Sequence, residues 1–295
     1  MKIVLFLYNI FTWLLSRLPL PVIYFFSDIL YIILYKIGGY RTKVVRENLT
    51  NSFPEKSQKE LRSIEHKFYH HLCDLMMENM LLPHITEKQI RKRCTFVNSE
   101  LIEKQLDKGE SVICVTGHYS NWEFLSGYQL QTKFKIVAIY KPLSDKHFDN
   151  YFKKMREKFG AETAAMNDAI RVLLRYKSSN TQTLSLFIAD QSPTRGQSHY
   201  WTEFLNQETS IFTGVERIAQ KTGFPVIFLK IRKASRGQYV VETEILCDDP
   251  KAAPTNSITE AHVRTLENLI REQPEYWLWS HRRWKHKRET ATSEN

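Results

Sequence analysis

The sequence predicts an α/β fold, with one domain built on a mostly parallel central sheet flanked by helices and an N-terminal, membrane-associated helical segment before it. Apolar runs of strand length alternate with amphipathic helical patterns over most of the chain. Polar residues stand directly after three of the predicted strands, and the first 37 residues are much more apolar than the rest. We therefore divide the chain into an N-terminal segment (1–37), a main domain (38–288) and a polar C-terminal tail (289–295).

The composition indicates a folded protein with an acidic or anionic partner. The chain has 295 residues, enough to bury a sizeable core, and a formal net charge of +10. Its four cysteines form no CxxC pair, which argues against a zinc ribbon or a thioredoxin-like site. The charge fits nucleic acid, anionic lipid or an acidic carrier protein and does not by itself choose among them.

Two apolar runs at the N-terminus predict membrane attachment. Residues 3–15 have almost no polar content, and 22–37 contain few polar side chains. At about 1.5 Å per residue, neither helix alone crosses a hydrocarbon core of ~30 Å. One kinked transmembrane span, a shallow hairpin in one leaflet and a buried pair of core helices all remain open. The basic residues Arg41 and Lys43 would suit the cytoplasmic side of a membrane.

Helix and strand patterns follow in order. A long helix is expected over 57–82, and Gly109 and Gly223 are expected to end two later helices. The predicted strands cover 94–97, 111–116, 134–140, 183–189, 226–231 and 239–246. The other predicted helices cover 99–108, 121–130, 147–159, 167–176, 213–222 and 258–271.

Three predicted strands are followed by polar segments, "TGHYSNWE", "YKPLSD" and "ADQSPTRG". The carboxyl ends of parallel strands meet at one edge of a sheet, so we expect these segments to form one site. Taken singly, Lys141 and Arg195 are interpreted as solvated loop cations. Asp190 is equally suited to binding a metal, orienting a cation or accepting bonds from the following turn.

His118 and Glu123 are the candidate general base and its partner. A neutral imidazole held in one tautomer by a carboxylate can take a proton from a hydroxyl group. Ser120 and Glu123 also fit a capping box, in which His118 is only a turn residue, and the residues alone leave both interpretations open. A second pair at the same spacing, His262 and Glu267, is predicted to be solvated helix surface because residues five apart in a helix diverge by about 140°.

Two further clusters carry charge. Four side chains at helical i, i+4 spacing are interpreted as a polar helix face rather than a metal site: His66, His70, Asp74 and Glu78. The C-terminal stretch "WSHRRWKHKR" interleaves aromatic and cationic residues, which suits anionic headgroups or nucleic acid, although no nucleic-acid motif accompanies it.

Taken together, these segments resemble the bacterial lipid A late acyltransferases, the lauroyl/myristoyl transferase group of the lysophospholipid acyltransferase superfamily. "GHYSNWE" is similar to the family's H-x4-D/E block, "AIYKPLSD" to its Tyr-Arg-Pro block and "IADQS" to its Asp-Gln block. "FTGVERIAQKTGFPVIFLKIRK" and "EQPEYWLWSHRRWK" resemble the two blocks that follow. The resemblance covers nearly the whole chain. Lys141 stands where the family usually has arginine.

The resemblance implies acyl transfer from an acyl carrier protein thioester to a hydroxyl group of an anionic glycolipid, a lipid A precursor. His118 would act as the base and Glu123 would orient it, without a metal or organic cofactor and without nucleic acid as a partner. The implied location is the inner (cytoplasmic) membrane, with the catalytic domain facing the cytoplasm. The substrate-binding candidates are Asn121, Trp122, Lys141, Asp190, Gln191, Arg195, His281, Arg282 and Arg283.

Three other functions remain as alternatives. The same chemistry could act on another membrane acceptor, such as a lysophospholipid, a glycolipid or an aminolipid. A thioesterase would pass the acyl group to water. A non-catalytic protein could use the basic surface to bind anionic lipid.

Overall fold

The computed structural model of the protein describes residues 2–193 and 200–288. The strands are β1 (Cys94–Val97), β2 (Val112–Thr116), β3 (Lys135–Tyr140), β4 (Glu162–Ala165), β5 (Thr183–Ile188), β6 (Tyr200–Phe204), β7 (Gln207–Ile211), β8 (Val226–Ser235) and β9 (Gln238–Cys247). The α-helices are α1 (Lys2–Leu15), α2 (Leu20–Tyr31), α3 (Thr42–Ser52), α4 (Gln58–Leu81), α5 (Glu87–Arg93), α6 (Glu100–Asp107), α7 (Lys146–Glu157), α8 (Ala169–Ser178), α9 (Gly214–Thr222) and α10 (Ser257–Glu272). A π-helix, Ile32–Ile37, continues α2, and short 3-10 helices cover Leu82–His84, Trp122–Leu130, Met166–Asp168 and Pro274–Tyr276.

Seven of the described strands form one central sheet in the order β1-β9-β8-β2-β5-β3-β4. Every neighbouring pair is parallel except β8 with β9, which form an antiparallel hairpin. A separate antiparallel hairpin joins β6 to β7. The predicted α/β class with a mostly parallel sheet is confirmed.

Strand β2 shows why the sheet lies at the centre of the molecule. All five of its residues are buried, as expected for a parallel strand covered on both faces. Ile113 and Val115 belong to one core, with residues of α3, α4, α8, α9 and α10. Val112 and Cys114 belong to a second core, with residues of α5, α6, α7 and the helix Trp122–Leu130. The alternation of strand side chains therefore produces a three-layer domain.

The predicted strands and most predicted helices are present with their ends shifted by a few residues. The helix predicted over 121–130 is a 3-10 helix, Trp122–Leu130, and the capping box, one of the two interpretations left open for Ser120 and Glu123, does not form at its start. Ser120 has a left-handed φ of 55°, and its hydroxyl has no partner among the described residues. Two α-helices and three strands were not predicted: α3, α5, β4, β6 and β7. The predicted polar tail, 289–295, lies outside the described residues.

His262 and Glu267 are buried, so their prediction as solvated helix surface is wrong. His262 lies beside the ring of Phe228 in the sheet, and Glu267 accepts a hydrogen bond from the main-chain N–H of Leu205. The two side chains diverge as expected, but α10 is covered on both flanks. The angle between two side chains on a helix does not show whether either of them is exposed to solvent, because that depends on what packs against the helix.

The N-terminal helices leave most of their apolar side chains exposed. Large apolar residues of α1 such as Phe6 and Leu14 are more than half exposed, which does not fit a buried pair of core helices. In the described part of the chain, Leu20–Ile37 is a helix long and apolar enough to cross a membrane, with 22% of its length buried. One side of α2 nevertheless packs on α4 through buried Ile23 and Tyr24.

The polar face predicted for α4 is largely internal. His66 and His70 are exposed, but Asp74 and Glu78 are buried. Asp74 accepts hydrogen bonds from Ser27 on α2 at 2.8 Å and from Lys233 and Arg236 near the β8–β9 turn at 3.1 and 2.7 Å. Two acids one turn apart on this polar face thus have fixed internal partners, so the face is exposed at His66 and His70 and internal at Asp74 and Glu78.

Glu78 receives hydrogen bonds from three separate segments and forms an ion pair with a fourth. One carboxylate oxygen accepts from Tyr24 at 2.7 Å and lies 3.0 Å from Arg93. The other accepts from Asn121 at 2.6 Å and from Tyr239 at 2.7 Å. Removing one partner of a buried charge costs about 3–5 kcal/mol, so this carboxylate ties α2 firmly to the sheet.

Two buried histidines predict that the fold loses stability in acid. Burial lowers the pKa of His262 to about 4, and burial together with nearby Lys233 lowers that of His71 to about 3, against an ordinary value of 6.5. The unfolded chain binds these protons first as the pH falls below about 6.5, so each histidine removes about 1.4 kcal/mol per pH unit down to its folded pKa. Chemical denaturation at pH 7, 6 and 5 measures this slope. His262→Gln should reduce it and the exposed-site control His147→Gln should not; an equal slope in both variants would contradict the assignment.

Candidate active site

Two neighbouring strands bring the main site residues together. His118 follows β2, Asp190 follows β5, and the two strands pair in parallel with Thr116 opposite Ile188. The pairing continues one step further, since the main-chain N–H of Ala189 donates to the Thr116 carbonyl at 3.1 Å. Both side chains therefore emerge at the carboxyl edge of the sheet, where ligands of α/β proteins bind.

The hydrogen-bond partner of the His118 ring is Asp190. One Asp190 oxygen lies 2.5 Å from Nδ1 of His118, and the other accepts the His118 main-chain N–H at 2.9 Å. The carboxylate thus fixes both the position of the loop and the orientation of the ring. The contact expected from the sequence, Glu123 with His118, is replaced by this one.

The C-terminal segment completes the surroundings of Asp190. The indole N–H of Trp277 donates to Asp190 at 2.8 Å. Trp277 also forms a β-bridge with Tyr119, and the N–H of Leu278 donates to the His118 carbonyl at 3.1 Å. The C-terminal segment 276–283 therefore acts as a strap that holds the histidine loop, residues 117–121, from outside the sheet.

The surroundings of Asp190 keep it ionised. Burial alone raises its pKa, but the charge of His118 and the hydrogen bonds from His118 and Trp277 outweigh burial and hold the pKa well below its usual range. An ionised Asp190 accepts a hydrogen bond from Nδ1–H, so the lone pair of the neutral ring lies on Nε2. The amide nitrogen of Gln191 is 3.2 Å from that Nε2 and can donate to it.

A cavity of about 1090 Å³ opens beside His118. Most of its wall is apolar and comes from β3, β5, α7 and the helix Trp122–Leu130. Representative apolar lining residues are Leu125, Ile136, Phe152, Ala161 and Leu186. The His118 side chain is 18% exposed, so the ring can be reached from the cavity while Asp190 behind it stays buried.

Glu123 also lines the cavity, where it forms an ion pair with Arg156. The two side chains share a bidentate contact, with distances of 3.0 and 2.6 Å. Burial opposes the charge of Arg156, and Glu123 is the main group that raises its pKa. The pair places a fixed dipole in a mostly apolar wall.

The predicted site residues fall into three groups. Trp122, Lys141 and Gln191 line the cavity together with His118 and Glu123. Three other predicted site residues are buried in the fold or in the strap and do not line the cavity: Asn121, Asp190 and Arg283. His281 is half-buried, Arg282 is exposed and neither lines the cavity, while Arg195 lies outside the described residues.

Two residues of the C-terminal block lie in the field of Asp190. Burial lowers the pKa of His281 to about 4 and that of Arg283 to about 10, and Asp190 opposes both shifts. Arg283 donates to the carbonyl of Ser210 at 2.7 Å. In the described residues this block therefore packs against β7 and the histidine loop, and its aromatic residues are part of the fold.

Sequence reasoning missed Trp277, Arg156 and the contact of His118 with Asp190. Trp277 lies within the C-terminal block, so its position in a recognisable motif was a usable signal. Arg156 lies on an amphipathic helix with several other cations and nothing in the sequence separates it from them. Within the described residues, no group of three or more His, Cys, Asp and Glu side chains is placed to hold a metal ion.

The close packing around Gly117 leaves no room for a larger side chain at this position of the histidine loop. A Cβ at this position would lie 2.8 Å from a methyl group of Leu266 and 3.2 Å from Asp190 Oδ2. Gly117→Ala should therefore lower the free energy of unfolding by about 1–3 kcal/mol. Denaturant unfolding measures the change. In a Leu266→Ala background the added methyl group should cost less, and an unchanged cost in that background would show that Leu266 is not the obstacle.

Comparison with known proteins agrees with this geometry. The family described as "Bacterial lipid A biosynthesis acyltransferase" matches residues 1–286. The lipid A biosynthesis lauroyltransferase of Escherichia coli (strain K12) is 22% identical over 288 residues, which cover 95% of this chain and 91% of that protein. An enzyme family that matches almost the whole chain does not fit the non-catalytic alternative. With its α/β fold and a histidine at the mouth of a large apolar cavity, the chain belongs to the bacterial lipid A biosynthesis acyltransferase family and is an acyltransferase.

Proposed function

We propose that the protein moves a fatty acyl group from the thioester of an acyl carrier protein to a hydroxyl group of a lipid A precursor, with His118 as the general base. The observation that carries this proposal is the His118–Asp190 pair at the edge of the apolar cavity. The cavity suits a hydrocarbon chain, and the imidazole stands where the carbonyl end of that chain would meet a second substrate.

The reaction follows from the tautomer of the ring. Nε2 of His118 takes the proton of the acceptor hydroxyl as its oxygen attacks the thioester carbonyl carbon. The new C–O bond forms a tetrahedral oxyanion, which collapses as the C–S bond breaks. The thiolate leaves with the proton from Nε2, so His118 returns to its neutral state. Asp190 stabilises the imidazolium in between and does not take the proton itself.

Two cavity residues have supporting roles. Gln191 donates to Nε2 in the free enzyme, so the acceptor hydroxyl replaces this amide when it binds. Lys141 lies exposed at the cavity wall and offers a positive charge to an acceptor phosphate or to the oxyanion. Because lysine lacks the planar fork of arginine, its contact is that of a point charge.

The charge and the N-terminus support the partners and the location. A net charge of +10 favours an acidic carrier protein and an anionic glycolipid. The exposed apolar surface of α1 and α2 favours attachment to the inner membrane, with the domain in the cytoplasm. Another membrane acceptor, such as a lysophospholipid or an aminolipid, fits the same cavity and is the second candidate.

Asp190 should matter more for the orientation of His118 than Glu123 does. Asp190→Asn keeps the shape and removes the charge, so the rate of acyl transfer should fall by roughly 10²–10⁴-fold. His118→Ala should abolish transfer, and adding Asp190→Asn to it should change little because the two act as a unit. Asp107→Asn, at an exposed aspartate of α6, is the matched control. Transfer rates with purified acyl carrier protein thioester measure these effects.

The Glu123→Gln variant tests the alternative, in which Glu123 orients His118. Glu123→Gln weakens the ion pair of this buried side chain with half-buried Arg156, so the stability of the variant has to be measured alongside its rate. If a stably folded Glu123→Gln loses transfer while Asp190→Asn keeps it, Glu123 orients the base and the assignment of Asp190 is wrong.

The acceptor is tested by the lipid A of a strain that lacks this gene. Mass spectrometry should show lipid A with one acyl chain missing, and restoring the wild-type gene should return it, whereas His118→Ala should not. Unchanged lipid A, together with transfer in vitro to a lysophospholipid or an aminolipid, would move the proposal to that acceptor. Free fatty acid as the main product in the presence of acceptor would instead indicate a thioesterase.

A further inference from the structure

We propose that the rim of the cavity, residues 141–148, is a second membrane contact beside α1, so that the cavity opens at the surface of a leaflet that contains anionic lipid. This inference rests on the proposed function only for the identity of the acceptor. It concerns Leu143 and Phe148, two large apolar side chains that are 47% and 40% exposed.

The rim is part of the cavity mouth. Residues 141–144 line the cavity, Leu143 among them. Asp149 fixes their path, since it accepts the main-chain N–H of Leu143 at 2.8 Å and the hydroxyl of Tyr140 at 3.2 Å. Asp145 caps α7 by accepting the main-chain N–H groups of His147 at 2.8 Å and Phe148 at 3.1 Å. The exposed leucine is thus held on an ordered loop.

The rim continues the apolar surface of α1. The ring of Tyr8 on α1 lies 5.6 Å from the ring of Tyr151 on α7, so the two helices touch. Val4 and Phe11, one turn to either side of Tyr8, are 61% and 51% exposed. Phe148 stands three residues before Tyr151 and shares its face of α7. One apolar surface therefore runs from α1 across the start of α7 to the cavity mouth.

The positive charges on the rim favour a membrane with anionic headgroups as the partner. Lys141 and Lys146 are exposed next to Leu143 and Phe148 and have no ion-pair partner among the described residues. The acids nearby, Asp145 and Asp149, already accept the hydrogen bonds described above. Apolar side chains flanked by lysines are typical of segments that lie in a membrane interface and attract anionic headgroups. The acceptor glycolipid would then reach His118 from the leaflet without crossing water.

Site-directed fluorescence tests the contact directly. Leu143→Cys and Phe148→Cys are labelled with an environment-sensitive dye in a Cys247→Ser background, because the other three cysteines are buried. The control is Ile245→Cys on β9, which is similarly exposed but lies on the other side of the sheet centre, next to the edge strand β1. The full chain is reconstituted into vesicles of phosphatidylethanolamine and phosphatidylglycerol.

Both rim labels should shift to shorter emission wavelengths, be quenched by brominated lipid and be at least about threefold less accessible to iodide than the control. Rim labels as accessible to iodide as residue 245 would overturn the proposal. Protection that needs added acyl carrier protein would show a protein-docking surface instead. Protection that vanishes when the protein-to-lipid ratio is lowered would show a second copy of the chain.

A rate measurement links the contact to acceptor entry. Phe148→Glu should lower transfer to an acceptor held in the same vesicles by about tenfold, since it removes an inserted aromatic side chain and adds a negative charge. Transfer to the acceptor in detergent micelles should stay near the wild-type rate, and Ile245→Glu should be normal in both. Equal losses in vesicles and micelles would overturn the entry route. If the wild type transfers nothing in either system, the proposed function fails while the fluorescence result still decides the membrane contact.

Discussion

The carboxylate of Asp190 is the contact on which the architecture of the site depends. It is buried and accepts hydrogen bonds from the main chain of His118, from the imidazole and from the indole of Trp277. The partners lie 72 and 87 residues away in sequence. A buried charge without its partners is strongly destabilising, so β5, the histidine loop and the C-terminal strap have to assemble together. The same bonds that complete the fold leave Nε2 of His118 facing the cavity.

A similar arrangement secures the N-terminal half of the chain. Asp74 and Glu78 are buried acids on α4, and each is bonded to α2 and to the β8–β9 hairpin. Glu78 also holds Asn121, three residues beyond His118. Asp190 at the end of β5 and Glu78 on α4 therefore hold the same histidine loop from two sides. Polar contacts determine the position of this loop in an otherwise apolar interior.

The elements of the fold were largely predictable from the sequence because strands and helices are encoded by local periodicity. Gly109 and Gly223, for example, adopt the left-handed φ values of 86° and 77° that helix-ending glycines take. The pairing of side chains was not predictable in the same way. Glu123 is close to His118 in the chain, but the order of the strands places Asp190 beside it, and strand order depends on long-range packing. Burial of Asp74 and His262 likewise depends on which neighbour covers each helix.

The bonds between α2 and the buried acids have a practical consequence for preparing the enzyme. Apolar N-terminal segments are often deleted to obtain a soluble catalytic domain. A chain that began at residue 38 would lose Tyr24 and Ser27, uncover the apolar residues of α4 that Ile23 packs against, and leave Asp74 and Glu78 short of partners. The N-terminal segment is thus a structural part of the catalytic domain as well as its exposed apolar surface. Detergent or lipid that preserves the whole chain is the appropriate starting material for biochemistry.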